Sequence, residues 1–242
     1  MTKRIFLGML TPSSNTALEP ITQAMLAGLP EVSAHFSRFK VTEIALSSGA
    51  LAQFNTVEIL RAAELLAHAK VDAIGWNGTS SGWLGFEADI RLCEAITAAT
   101  GIPATTSMLA LNEILETRNV TRLGVVTPYL NEVQARILEN YARLGIACQG
   151  ERHLGLRDNF SFSEVAVETI EAMTREVAQQ KSQAIAIICT NLRAAPSVEK
   201  LERETGIPVY DTIATVVWKC LVLAGVDPAR VKGWGSLFQQ GA

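Results

Sequence analysis

The strongest constraint on this chain is that it repeats itself. Thr11-Pro12 follows the apolar run Ile5 to Leu10, and Thr127-Pro128 follows Leu123 to Val126. Ala73-Ile74 ahead of Gly78-Thr79 matches Ala184-Ile185 ahead of Cys189-Thr190. Thr100-Gly101-Ile102-Pro103 recurs as Thr205-Gly206-Ile207-Pro208. The three pairs keep their order at offsets of 116, 111 and 105 residues. Any one pair is weak evidence, because T-G-I-P is a common way to leave a helix for a strand. Ordered landmarks at nearly constant spacing imply a duplicated unit. The 242 residues then divide into an N-terminal lobe, 1–116, and a C-terminal lobe, 117–212. The segment 213–242 is expected to rejoin the first lobe.

Within each unit, short apolar runs alternate with longer amphipathic ones. Strands are expected at Arg4–Leu10, Ser33–Val41, Val71–Trp76, Ala104–Thr106, Arg122–Val126, Ala147–His153, Ala184–Cys189 and Val209–Tyr210. Helices are expected at Ala17–Leu26, Thr56–Ala69, Phe86–Ala99, Met108–Thr117, Asn131–Leu144, Ser163–Gln180, Ser197–Glu204 and Thr212–Ala224. A final short helix begins at Asp227-Pro228, with Asp as N-cap and Pro at the first helical position. In the second helix, Val57, Leu60, Ala63 and Leu66 read as one buried stripe. Strands alternating with helices predict an α/β fold with parallel sheets, and the repeat makes it two similar α/β lobes.

Several function classes drop out. The formal charge of −3 lacks the basic face of a nucleic-acid binder. Three scattered histidines and the absence of C-x-x-C or H-x-x-x-H spacing argue against zinc. Four widely spaced cysteines in a chain of this size imply no disulfide framework. Lys3-Arg4 ahead of Ile5 to Leu10 is too short a run for a signal peptide. No apolar stretch approaches the ~20 residues that span a bilayer. A cytoplasmic protein with no membrane partner is expected.

Ligands of parallel sheets sit beyond the carboxyl ends of the strands. With two facing lobes, the expected site is the cleft between them. The residues at those ends are Thr11 to Asn15, Asn77 to Ser81, Thr127 to Tyr129, and Cys189 to Asn191. They bring a thiol, hydroxyls, a phenol and amides to the start of helices. Such a neutral, donor-rich pocket suits a carboxylate or an enolate oxyanion. No G-x-G-x-x-G or G-K-[ST] motif is present, so no nucleotide is indicated. Gly78-Thr79-Ser80-Ser81-Gly82 fits the G-x-S-x-G elbow of hydrolases. The acid Asp89 lies on the neighbouring helix and only His153 follows, so a Ser-His-acid triad is not expected.

Together the segments Thr11 to Thr16, Gly78-Thr79-Ser80, Val125 to Tyr129, Asp158-Asn159 and Ile188-Cys189-Thr190 resemble the Asp/Glu racemase superfamily. The likeness is to its arylmalonate decarboxylase and maleate isomerase branch, and it covers nearly the whole chain. The resemblance implies two Rossmann-like lobes and no metal or organic cofactor. Racemases and maleate isomerases of the superfamily face one cysteine from each lobe across the substrate. Here the repeat aligns Cys189 with Gly78, so the first cysteine is missing. Cys93 sits within a helix on a stripe with Ile90 and Ile96 and cannot replace it. The glycine and the single cysteine look like arylmalonate decarboxylase. The resemblance then makes Cys189, Thr79, Ser80 and Tyr129 catalytic, with backbone N–H groups near Cys189 and Thr190 completing a dioxyanion hole. Asn15 and Asn159 resemble maleate isomerase contacts to the substrate carboxylate. Pro12, Gly78 and Thr190 complete the binding set.

One thiol cannot act on both faces of a carbon, which disfavours two-base racemisation. Cofactor-free decarboxylation of a malonate-type dicarboxylate needs one pinned carboxylate, one desolvated carboxylate and a single proton donor. A maleate-like cis-trans isomerase is the alternative, followed by a protein that retains only ligand binding. Homo-oligomerisation is left open. The plainer readings are Thr79, Ser80 and Asn15 as helix caps, Asp158-Asn159 as a turn, and Trp76 and Trp83 as walls or packing. Cys93, Cys148 and Cys220 read as packing residues.

Overall fold

The computed structural model describes residues 3–239. The first half runs β1 (Ile5–Pro12), α1 (Leu18–Leu26), β2 (Val32–Phe39), α2 (Ser48–Ala52), α3 (Thr56–His68), β3 (Ala73–Trp76), α4 (Ser81–Leu84), α5 (Glu87–Thr100), β4 (Ala104–Thr106) and α6 (Ser107–Thr117). The second half runs β5 (Arg122–Thr127), α7 (Asn131–Arg143), β6 (Ala147–His153), α8 (Val167–Ala178), β7 (Ala184–Ile187), α9 (Val198–Thr205), β8 (Val209–Asp211) and α10 (Thr212–Leu223).

The strands form two separate four-stranded sheets, β2-β1-β3-β4 and β6-β5-β7-β8. Every pairing is parallel. The repeated sequence has therefore folded into the same strand order twice, as the α/β reading predicts. The T-G-I-P turns show how closely. Gly101 and Gly206 close helices α5 and α9 in the left-handed region, at φ 71° and 69°. Thr100 and Thr205 donate their hydroxyls to Ile96 and Leu201 carbonyls, both at 2.7 Å. Their oxygens then accept from the Ile102 and Ile207 N–H groups, and the following prolines lead into β4 and β8.

The central strands β3 and β7 are buried along their whole length, because helices cover both faces of a parallel sheet. The edge strand β2 is half-exposed, as its imperfect alternation suggests. Helix α10 is apolar nearly all round and buries Ile213, Val216, Val217, Cys220 and Leu221. It packs on α6, β3 and β4. Cys220 and Val216 fill the space beside Gly75, where a Cβ would lie 2.7 Å from each. Among the described residues no helix is long and apolar enough to cross a membrane.

Four expectations need correction. The buried stripe of α3 is Ile59, Ala62, Ala63 and Leu66, while Val57 is exposed. Steps of three residues spiral away from a face that repeats every 3.6. In α5 the inner face is Asp89, Leu92 and Ile96, so Ile90 is exposed and Cys93 half-buried. The expected helix Ser163–Gln180 is two pieces. A 3-10 turn spans Phe160–Glu164, and Val165 and Ala166 are extended before α8. Phe162 is drawn inward there, 5.6 Å from the Tyr129 ring. Strand β7 ends at Ile187, which leaves Cys189 beyond the sheet edge. The short helices α2 and α4 are too brief to leave a periodicity. The segment after Asp227 is a 3-10 turn, Pro228–Arg230, capped by the Asp227 side chain as expected.

Candidate active site

The carboxyl ends of β1, β3, β5 and β7 converge on one cavity. Its walls are Pro12, Gly78, Thr79, Ser80, Tyr129, Asn159, Cys189 and Thr190, with Val41, Ile44, Phe54, Trp76 and Trp83. Eight of the nine expected site residues thus meet, drawn from both lobes. The apolar group from the β2–α3 connection, Val41, Ile44 and Phe54, has no sequence signal beyond its hydrophobicity. The enclosed space is about 20 Å³, room for about one water molecule.

Its polar centre is a chain of three side chains. The Thr79 and Tyr129 hydroxyls are 2.7 Å apart, and the Cys189 thiol adjoins the phenol closely enough for each to shift the other's titration. Burial pushes the thiol up to about 12, against the opposing pull of the Asn191 N–H and the Tyr129 hydroxyl. Burial likewise raises the Tyr129 phenol well above its ordinary value. Both groups are therefore protonated at neutral pH. The Asn191 N–H reaches the sulfur at 3.4 Å. The N–H groups of Thr79, Ser80 and Thr190 have no protein acceptor among the described residues. The N–H of Cys189 itself does not join them. It is committed to Thr212 Oγ1 at 3.1 Å, because the two residues past the end of β7 lie over the start of α10. That narrows the expected oxyanion hole by one donor.

Gly78 is where the repeat would put a second cysteine. A Cβ built there would lie 2.0 Å from the Trp76 ring. The indole fills the space that a side chain at 78 would need, so glycine is required by close approach. Trp76 leans on Phe39 at 4.9 Å, which holds it in place. Cys93, Cys148 and Cys220 stay outside the cavity lining.

Asn15 is the one expected contact that does not reach the cavity. Its Nδ2 donates to the Thr190 carbonyl at 2.9 Å and reaches Thr190 Oγ1 at 3.3 Å. Its Oδ1 accepts from Ala17 and Leu18. It caps α1 and ties the first lobe to the second. Asn191 makes the reciprocal tie. Its Oδ1 accepts from Thr16 and Ala17, and its Nδ2 donates to the Asn159 carbonyl. Asn159 lines the cavity while its Nδ2 donates to Ser14 Oγ at 2.7 Å. Thr190 Oγ1 donates to the Asn77 carbonyl across the lobes.

The hydrolase elbow is not assembled. Ser80 opens α4, and Asp89 accepts from Ser81 and Thr106 instead. His153 pairs with Glu151 and Asn131, away from the cavity lining. Among the described residues no three His, Cys, Asp or Glu side chains gather as a metal-ligand set.

A family profile described as arylmalonate decarboxylase matches residues 7–238. The chain belongs to the arylmalonate decarboxylase family. Its relatives divide between two activities. A maleate isomerase of Pseudomonas putida is 26% identical over 98% of this chain and 98% of its own. An arylmalonate decarboxylase of Bordetella bronchiseptica is 28% identical over 67% of this chain and 69% of its own. A solved Nocardia farcinica maleate cis-trans isomerase variant, bearing a covalently bound succinylcysteine intermediate, superposes with a TM-score of 0.89. It is 24% identical, with 98% of this chain and 99% of that one covered. The family holds both a lyase and an isomerase, and of these two sequence matches the isomerase one extends over more of the chain.

Proposed function

We propose that this member of the family decarboxylates a small malonate-type dicarboxylate without a cofactor, through an enediolate that Cys189 protonates. The observation that carries the reading is Cys189 itself: one buried, protonated thiol in a cavity where the repeat's counterpart position is Gly78, filled by the Trp76 ring rather than a second thiol. That arrangement supplies an acid to one face of a carbon and nothing to the other.

The chemistry follows from the lining. One carboxylate of the substrate accepts from Thr79, Tyr129 and the N–H groups of Thr79 and Ser80. The other lies against Val41, Ile44, Phe54 and Trp76, where loss of hydration raises its energy. Its C–C bond breaks, carbon dioxide leaves, and the electron pair moves into the pinned carboxylate as an enediolate. The hydroxyls are already aimed at that charge and stabilise it without reorganising, which in many enzymes supplies most of the rate enhancement. The Cys189 S–H then donates its proton to the carbon, and solvent restores the thiol. The enediolate carbon is far more basic than a thiolate, so a thiol near 12 still serves as the acid. The diacid is larger than the closed cavity, so the β2–α3 cover moves aside on binding.

The second reading is cis-trans isomerisation of a maleate-like diacid. The near-full-length likeness to maleate isomerases and the succinylcysteine of the N. farcinica enzyme favour it. It requires Cys189 to add to the alkene as a thiolate, and burial works against that form. The two are separated by incubating the protein with substituted malonates and with maleate in D₂O and following both by NMR. Decarboxylation puts one deuteron on the product carbon and releases carbon dioxide. Fumarate from maleate without carbon dioxide would replace the lyase reading by the isomerase one. Cys189→Ser is expected to lower turnover by about 10²–10⁴-fold, and unchanged turnover would refute both.

A further inference from the structure

We propose that the Trp83 indole N–H is a further substrate-binding group, donating to a carboxylate oxygen of the diacid; this rests on the dicarboxylate reading above. Trp83 stands on α4, one turn past Thr79 and Ser80. Its ring lines the same cavity as Thr79, Tyr129 and Cys189. It meets the Tyr129 ring edge-on at 5.3 Å and the Phe54 ring at 5.9 Å. The side chain is 5% exposed. Its Nε1 is buried and has no acceptor among the described residues.

A buried indole N–H almost always has a partner, because it gave up a hydrogen bond to water on folding. Three neighbouring hydroxyls have found theirs. Thr79 and Tyr129 bond each other, and the Thr190 hydroxyl is spent on Asn77. Trp83 Nε1 is a fully buried donor of the cavity's ring systems whose acceptor is missing among the described residues. An indole can only donate, so the missing group is an acceptor, and in a cavity walled by Thr79 and Tyr129 hydroxyls a carboxylate oxygen fits. The edge-on contact with Tyr129 sets the ring beside the Thr79–Tyr129 pair, and in the proposal both act on one ligand. Trp83 also contacts Phe54 of the cover, so the same ring borders the group that must move when the diacid arrives.

The test uses succinate, a dicarboxylate that neither loses carbon dioxide nor carries an alkene. The ¹⁵N-labelled protein is titrated with succinate, and the four indole N–H resonances are followed after sequential assignment. The Trp83 signal is expected to move and to saturate with the calorimetric binding curve. Trp83→Phe, which keeps an aromatic ring and deletes the donor, is expected to weaken succinate about tenfold. It should also raise KM for the turned-over diacid more than it lowers kcat, as uniform binding requires. If succinate binds and shifts the Thr79 and Ser80 amides while the Trp83 signal stays still, this assignment falls and the proposed function stands. If neither succinate nor malonate binds, both fall. The wild-type titration decides the matter even if the variant fails to fold.

Discussion

Cys189 and Asp211 show how a single side chain's surroundings outweigh its identity. Asp211 caps α10, accepting from the Ile213 and Ala214 N–H groups. Its second oxygen is buried without a partner, and burial raises its carboxyl to about 7 despite those two bonds. Asp89 is raised to about 6 by the same cause. A carboxyl whose folded value lies above its unfolded one stabilises the fold below pH ~4, and that stabilisation is lost as pH rises through the folded value. The protein is therefore expected to lose stability between about pH 4 and 7 at these two sites. Asp211→Asn keeps the cap and deletes the titration. Denaturant melts of both forms should show a flatter pH dependence for the variant, by about 1.4 kcal/mol per pKa unit removed. An unchanged slope would mean that Asp211 is charged. None of this is legible in the residue names. The sequence marks Asp211 only as the residue ahead of a helix.

The elements divide into those whose roles are local and those whose roles are borrowed. Strands β3 and β7 and helices α5 and α9 follow from runs of apolar residues and from Gly101 and Gly206, because those signals act over a few residues. The β2–α3 connection does not. Ser47 and Asn55 cap α2 and α3, and Gln53 ties the segment down through Thr42 and Glu43. Yet Val41, Ile44 and Phe54 matter only because the far lobe faces them. Arg157 of the second lobe meets Glu43 as an ion pair, and the Ile44 N–H donates to the Arg157 carbonyl. With the Asn159 N–H on the Thr42 carbonyl and the Leu46 N–H on Glu132, these are isolated ties and not a strand ladder, so the cover should open more easily than the sheets behind it. Hydrogen exchange is expected to be faster in residues 40–55 than in β3, and to slow there on adding succinate. Equal protection with and without the diacid would argue that the cavity fills without the cover moving.

Among the bonds that join the two lobes of the molecule across the cleft, two asparagines exchange places. Asn15 reaches Thr190, and Asn191 reaches Thr16 and Ala17. The bonds to Thr190 and Ala17 are buried, that to Thr16 partly so, and they span 174 or 175 residues. Asn191→Ala strips the Thr16 N–H of its acceptor and frees the Asn159 carbonyl, at a cost of about 2 kcal/mol. For a chain of this length that lowers Tm by about 4–8 °C. The side chain also anchors the loop whose backbone N–H at 191 meets the Cys189 sulfur, so releasing it should cost turnover in excess of the loss of folded protein. A change in Tm below about 1 °C by calorimetry would show that these bonds do not join the lobes.

What the sequence determined by itself was the duplicated α/β plan, the ends of strands where chemistry collects, and Cys189 facing a glycine. Each of these is encoded by neighbours a few residues apart or by one repeat set against another. What only the tertiary structure decided was the character of the site. Trp76 lies over Gly78, Asn15 turns from the cavity to the other lobe, the Cys189 N–H goes to Thr212, and Trp83 keeps an unspent donor. These depend on side chains brought together from distant parts of the chain. Burial and hydrogen-bond partnership exist only once both lobes have closed around the same space.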